Sequence, residues 1–186
     1  AIDRNGKLLF EYNEFGSIGP FSEGLAVANS GEVNEAGEPL FGYIDRQGKY
    51  EIRPRFLQAM RFSEGLAPVL DGDVLGYVDR KGTMVINKDF SEVHPFVEGL
   101  ARAKFKEKWG FIDSNGEWAI KPTLYAADDF SEGLARVLVQ DKKAMSDFQK
   151  QCEKEDSEED NKFMEGIGKV FGSVTGRRPG QRAHYG

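Results

Sequence analysis

A six-residue string, FSEGLA, stands at Phe21, Phe62 and Phe130, with the single variant FVEGLA at Phe96, so that the same words return at intervals of 41, 34 and 34 residues. Self-similarity at a fixed period of this length is the mark of a repeat architecture, in which each unit is too small to bury its apolar face alone and must stack on its neighbours. A second string follows each of the first three copies: FGYIDRQG from Phe41, LGYVDRKG from Leu75 and WGFIDSNG from Trp109. The chain opens inside a further copy, IDRNG from Ile2. The longer first interval comes from VANSGEVNEAGEPLF, between Ala26 and Gly42, which reads as a loop insertion.

Within one unit the pattern predicts three short strands. Gly133, Leu134, Ala135, Arg136 and Val137 alternate as a half-buried strand does. The next strand carries Trp109, Phe111 and Asp113 on one parity and Gly110 and Ile112 on the other, which places it in the middle of a sheet. Asp-x-x-Gly then recurs at Asp45 to Gly48, Asp79 to Gly82 and Asp113 to Gly116, with Asp3 to Gly6 at the start. An Asp that caps turn amides and a Gly that accepts positive φ predict a type I turn with a glycine bulge, with positive φ expected at Gly82 and Gly116. A third strand, Gly116 to Ile120, is expected to stop at Pro122, with Pro54 equivalent and Lys88 in its place in the middle unit. Tyr125 to Phe130 can add a short extended piece. The Phe and Leu of each FSEGLA are the main core candidates.

The succession F-x-E-G-L-A, then W-G-[FY]-I-D-x-x-G, then I-x-P resembles the WG-containing repeat, also called the KWG repeat, and Lys108, Trp109 and Gly110 form its naming triplet. The resemblance covers residues 2 to about 139, with Phe41 and Leu75 standing where Trp109 stands in the third copy. It implies β-rich tandem repeats used largely as accessory modules, without a catalytic site. The expected fold is all-β: short antiparallel strands in an open twisted array over residues 1–140, followed by a partly helical tail. Because a closed propeller usually needs four or more four-stranded blades, an open array fits about three and a half units better. The start at Ala1, inside the second strand of a unit, points to a fragment, a processed chain or further N-terminal repeats.

The tail divides in two. Residues 141–165 hold nine acidic residues and five lysines, and residues 166–186 hold Lys169, Arg177, Arg178 and Arg182 with no acid. The net charge of −6 therefore resides in the repeats. Ala144, Phe148, Gln151 and Cys152 at helical spacing predict an amphipathic helix over about Lys142 to Glu155, placed to cap the last repeat or to meet a partner. Phe163, Ile167, Val170, Phe171 and Val174 form a second apolar cluster, and TGRRPGQRAHYG reads as an extended basic arm. The candidate partner-binding residues are Phe163, Ile167, Val170, Phe171, Arg177, Arg178 and Arg182.

Chemistry is sparse by comparison. The repeated aspartates lack the ordered oxygen ligands of a calcium loop and read as turn formers. Glu23, Glu64, Glu98 and Glu132 precede glycines in turn-like contexts and suggest an exposed acidic stripe; equivalent positions give like environments, unsuited to a general acid and base pair. His94, before Pro95, reads as a loop residue, and Cys152 as a packing residue. No catalytic, cofactor-binding or metal-binding residues are assigned, and no cofactor is expected. An acidic chain is poorly suited to bulk nucleic-acid binding. No apolar run spans a membrane, so a soluble protein is expected, with the cytoplasm favoured. The leading expectation is a non-enzymatic scaffold for protein partners, an accessory subunit or module of a larger assembly. The alternatives are a regulatory or targeting module of a longer catalytic polypeptide and a glycan or envelope binder stacking sugars on Tyr43, Tyr77 and Trp118.

Overall fold

The computed structural model describes residues 1–2, 4–11, 15–139 and 146. Its named elements are all strands, arranged as four-stranded antiparallel meanders that follow one another along the chain. The first contains β1 (Ser17–Ile18), β2 (Ala26–Val33), β3 (Pro39–Ile44) and β4 (Tyr50–Phe56). The second contains β5 (Gln58–Ala59), β6 (Ala67–Asp71), β7 (Val74–Val78) and β8 (Met84–Asn87). The third contains β9 (Glu92–Val93), β10 (Ala101–Phe105), β11 (Lys108–Ile112) and β12 (Trp118–Leu124). A two-stranded sheet, β13 (Ala126–Ala127) with β14 (Val137–Leu138), follows.

The unit thus has a fourth strand beside the three expected, and the short extended piece anticipated within Tyr125 to Phe130 is its copy at β13. The extra one is only two residues long, pairing for instance Gln58 with Leu70 and Ala59 with Val69, too short to leave an alternating pattern in sequence. The central strand is placed as expected, since β11 pairs with both β10 and β12. The strand after the Asp-x-x-Gly turn does not stop at proline: β4 runs through Pro54 and β12 through Pro122. Both prolines sit where the register slips. Phe41 pairs with Phe56 and Tyr43 with Ile52, and Trp109 pairs with Leu124 and Phe111 with Ile120. Such a bulge leaves the proline without a ladder bond to donate, the one place inside a strand that suits it. In the unit with Lys88 the ladder from Gly76–Asn87 to Tyr77–Ile86 is regular and β8 is shorter.

The expected loop insertion is a lengthened hairpin. β2 extends to Val33, an irregularity between Asn29 and Val33 brings Gly31 to φ 83°, and Asn34 Oδ1 accepts from Ala36 and Glu38 N–H at the tip. The helix expected over Lys142 to Glu155 is not among the described elements; Ser146 apart, that stretch and the remaining tail, with Cys152, Phe163, Ile167, Val170, Phe171, Arg177, Arg178 and Arg182, lie outside the described residues.

Apolar side chains are sandwiched between successive sheets. Leu25, Tyr43, Ile52 and Phe56 of the first meet Phe62, Ala67, Val69 and Val78 of the second. Tyr77, Ile86 and Phe90 meet Val93, Phe96, Ala101, Ala103 and Ile112 of the third, and Trp109, Phe111, Ile120 and Leu124 meet Ala127 and Phe130. Large rings on one sheet facing alanines on the next allow close face-to-face approach. The aromatic residue after each WG-type glycine packs on the Phe that opens the next FSEGLA or FVEGLA string, edge-on for Tyr43 on Phe62 at 4.7 Å and Phe111 on Phe130 at 4.9 Å and tilted for Tyr77 on Phe96 at 5.1 Å.

Candidate functional site

The glycine of each WG-type dipeptide is required by the meander itself. A Cβ on Gly110 would enter the envelope of Ile120 O and lie 2.9 Å from Pro122 N, and Gly42 and Gly76 meet Ile52 O and Ile86 O in the same way. Neighbouring strands cross there at a distance only a bare Cα allows. The Asp-x-x-Gly turns are as expected. Asp45, Asp79 and Asp113 each accept through Oδ1 from the N–H groups two and four residues on, and Gly48, Gly82 and Gly116 hold φ near 80°. Gly82 and Gly116 also abut Ile52 and Ile86 of the preceding sheet, so each turn is an inter-sheet contact.

The FSEGL turns carry the most informative geometry. Each is a two-residue hairpin connection in which Ser22 and Leu25, Ser63 and Leu66, Val97 and Leu100, or Ser131 and Leu134 exchange both backbone hydrogen bonds. Both central residues have positive φ: 52° to 55° at Glu23, Glu64, Glu98 and Glu132, and 75° to 86° at the glycines that follow. Glycine takes that conformation freely, whereas a glutamate there is strained by about 1–2 kcal/mol.

The strained glutamate reaches the next unit. Glu23 Oε1 and Oε2 accept from Glu64 and Gly65 N–H at 2.6 and 3.1 Å. Both carboxylate oxygens of Glu64 accept from Gly99 N–H at 3.0 and 3.1 Å, and Glu98 accepts from Glu132 and Gly133 N–H at 2.7 and 2.8 Å. Successive turn amides thus form a small anion-binding notch, filled by the carboxylate one repeat earlier. The serine adds a second rung, Ser22 Oγ donating to Phe62 O at 2.7 Å and Ser63 Oγ to Phe96 O at 2.6 Å. Val97 cannot continue it. Glu23, Glu64 and Glu98 are therefore no free acidic stripe but a ladder along the repeats, a role the sequence conceals because each partner lies about one period away.

An open groove of about 640 Å³ is lined by Ser17, Ile18, Val27, Phe41 and Ala59 together with Gly19 and Pro20, Met60 and Arg61, His94 and Pro95, and Asp129. The pairs Gly19 and Pro20, Met60 and Arg61, and His94 and Pro95, with Asp129, are the two positions just before FSEGLA, drawn from the four copies. His94 lies outside the strands, as expected of a loop residue, yet both ring nitrogens are engaged: Nδ1 faces Arg102 Nη2 at 3.1 Å and Nε2 faces Glu92 Oε1 at 3.1 Å. Arg102 also donates to Ala127 O, pairs with Asp129 at 2.6 Å and lies over the Trp109 ring. This cluster ties the third meander to the two-stranded sheet that follows it.

Two of the three residues expected to stack sugars, Tyr43 and Tyr77, are not available for stacking. Tyr43 and Tyr77 are fully buried, their hydroxyls donating to Met60 O and His94 O, and burial holds both phenols well above the usual tyrosine value. Trp118 is half-buried against Phe90. Among the described residues no three His, Cys, Asp or Glu side chains are grouped to hold a metal ion, and no helix is long and apolar enough to cross a membrane.

Comparison with curated proteins and with solved structures gives no match. The family model described as "WG containing repeat" matches four times, over residues 1–32, 41–73, 76–109 and 109–143. The second and third segments run from the last two strands of one meander into the first two of the next, so the repeat in sequence staples two sheets in space. With these matches covering most of its length, the chain belongs to the WG-repeat family.

Proposed function

We propose that this chain is a non-enzymatic scaffold that binds protein partners, as an accessory module of a larger assembly. The observation that carries the reading is the groove, to which all four copies contribute residues just before the FSEGLA string, with Met60 and Pro95 as apolar contacts and Arg61, His94 and Asp129 as polar ones. Concave surfaces built from repeated positions are how stacked-repeat proteins take up extended segments of other proteins. The tail residues Phe163 to Val174 and Arg177, Arg178 and Arg182 offer apolar and basic groups that would reinforce such contact, with screening by salt over a Debye length of about 8–10 Å.

Affinity capture with the immobilised full chain tests this, using Met60→Asp with Arg61→Glu in one arm and truncation after Glu165 in another. Loss of the captured protein in either arm, with an unchanged melting temperature, supports the scaffold and assigns the binding to groove or tail. Capture unaffected by both arms would overturn the reading.

A further inference from the structure

One hairpin of the repeat body carries a charge opposite to that of its equivalents. Residues 101–111, which hold β10 and β11, have Arg102, Lys104, Lys106 and Lys108 against Glu107 alone. The corresponding residues 67–77 of the second meander carry Asp71 and Asp73 as their charged groups, and residues 26–43 of the first carry Glu32, Glu35 and Glu38. At the basic tip Lys106 and Glu107 both hold positive φ, 46° and 65°, between the paired Phe105 and Lys108, in a two-residue connection where Asn-Gly is the favoured filling. The charges are kept there against backbone preference. Glu107 is paired with Lys104 at 3.3 Å, whereas Lys106 and Lys108 lie over the rings of Phe105 and Tyr125, at 5.0 and 2.9 Å, and have no carboxylate partner among the described residues. The chain leaves the last sheet beside them, since Tyr125 N–H donates to Leu138 O at 2.8 Å.

We propose that this basic tip is the docking site of the chain's own acidic run, residues 153–160, which lies outside the described residues. The run holds six carboxylates, Glu153, Glu155, Asp156, Glu158, Glu159 and Asp160, and one ammonium, Lys154. Two features favour it over an acidic segment of another protein. The first is sign: in a chain of net charge −6 the run is repelled by most of the molecule, and among the three meander hairpins this one alone is basic. The second is the tether, because the 14 residues 139–152 that join Leu138 to the run reach at most roughly 50 Å and hold it at an effective concentration on the order of millimolar. Each exposed pair is weak alone, so several carboxylates sharing two lysines depend on that tether. Docked there, the run covers Lys106, Lys108 and the Tyr125 ring, which is 44% exposed, and an acidic partner reaches them only by displacing it.

Nuclear magnetic resonance with the full chain tests the docking. Cys152, the chain's one cysteine, stands directly before the run and takes a nitroxide in ¹⁵N-labelled protein. In dilute solution at low salt the Lys106 and Glu107 amide resonances should lose intensity to the unpaired electron, while those of Gly37 and Gly72, at the tips of the other two hairpins, keep theirs. Raising the salt to about 1 M, where the Debye length is about 3 Å, should restore the lost signal. Lys106→Glu with Lys108→Glu should restore it too, as should Glu155→Gln, Asp156→Asn, Glu158→Gln and Glu159→Gln together. The second variant leaves every residue of the repeats in place and decides the matter if the first does not fold. Nitroxide-labelled chain without ¹⁵N, added to ¹⁵N chain whose Cys152 is alkylated, should leave the spectrum unchanged; a loss of signal in that mixture would give the lysines to a second copy and overturn the proposal. No loss at Lys106, equal loss at all three tips, or a loss that survives high salt or the acidic-run variant would overturn it as well.

Discussion

Gly110→Ala isolates what the glycine of the WG dipeptide contributes. Gly110 does not hold positive φ, so alanine meets no conformational penalty there and the whole effect is steric. The new methyl would enter the envelope of Ile120 O and sit 2.8 Å from Trp118 Cζ3 and 2.9 Å from Pro122 N, all on the neighbouring β12. Relief requires β12 to move away from β11 by roughly 1 Å, since ordinary contacts begin near 3.4 Å. That stretches the ladder where Trp109 meets Leu124 and Phe111 meets Ile120. One or two weakened backbone bonds at about 1 kcal/mol each, added to an overpacking strain of about 1–3 kcal/mol, give a loss near 3 kcal/mol. For a repeat body of this size the melting temperature should fall by about 10 °C. Gly133→Ala is the control, because Gly133 holds φ 75° with nothing within 4 Å of the added methyl, leaving only a conformational cost of about 1–2 kcal/mol. Urea and thermal melts decide the order. A Gly110→Ala loss below about 1 kcal/mol, or below that of Gly133→Ala, would refute the close-crossing argument.

Gly116→Ala combines both effects, φ 80° and a methyl pressed on Ile86, and should cost at least as much as Gly133→Ala in the same melts. Removing Phe96 to Asp129, one period, should leave a cooperative but less stable fold, because packing runs between successive sheets; circular dichroism that shows an unfolded chain would point to a closed architecture instead. Tyr43 and Tyr77 titrate above the value of about 10 that tyrosine has in an unfolded chain, so the folded state holds their protons longer. Their contribution is fully present below about pH 10 and is lost as pH climbs from there toward the folded value, and Tyr43→Phe with Tyr77→Phe should flatten that alkaline decline of the melting temperature.

Much of the fold was legible because it is written in local chemistry repeated four times. The Asp-x-x-Gly turns need only an Asp and a Gly three positions apart, and the central position of β11 follows from apolar residues on both parities. The two-residue strands β5, β9 and β13 leave no periodic trace, and Pro54 and Pro122 look like strand ends until the bulges that hold them are seen. Tyr43 and Tyr77 were misplaced because alternation within a strand does not say which face the next sheet will cover. The glutamates were hardest: Glu-Gly reads as a turn, and nothing local reveals that a carboxylate in a strained turn is aimed at amides in the following repeat.

The ladder itself is tested most directly by comparing Glu98→Ala with Glu132→Ala in dilute solution. Both residues occupy the same turn with φ 55° and 54°, and alanine keeps the strain in both, so the variants differ in the rung alone: Glu98 holds two amides of the next turn, and Glu132 holds none among the described residues. Charge-assisted bonds to two partly solvated amides should make Glu98→Ala lose about 1–2 kcal/mol, while Glu132→Ala stays within about 0.5 kcal/mol of wild type. Equal losses at the two positions would contradict the account, because they would assign the effect to the turn and leave nothing to the contact between repeats.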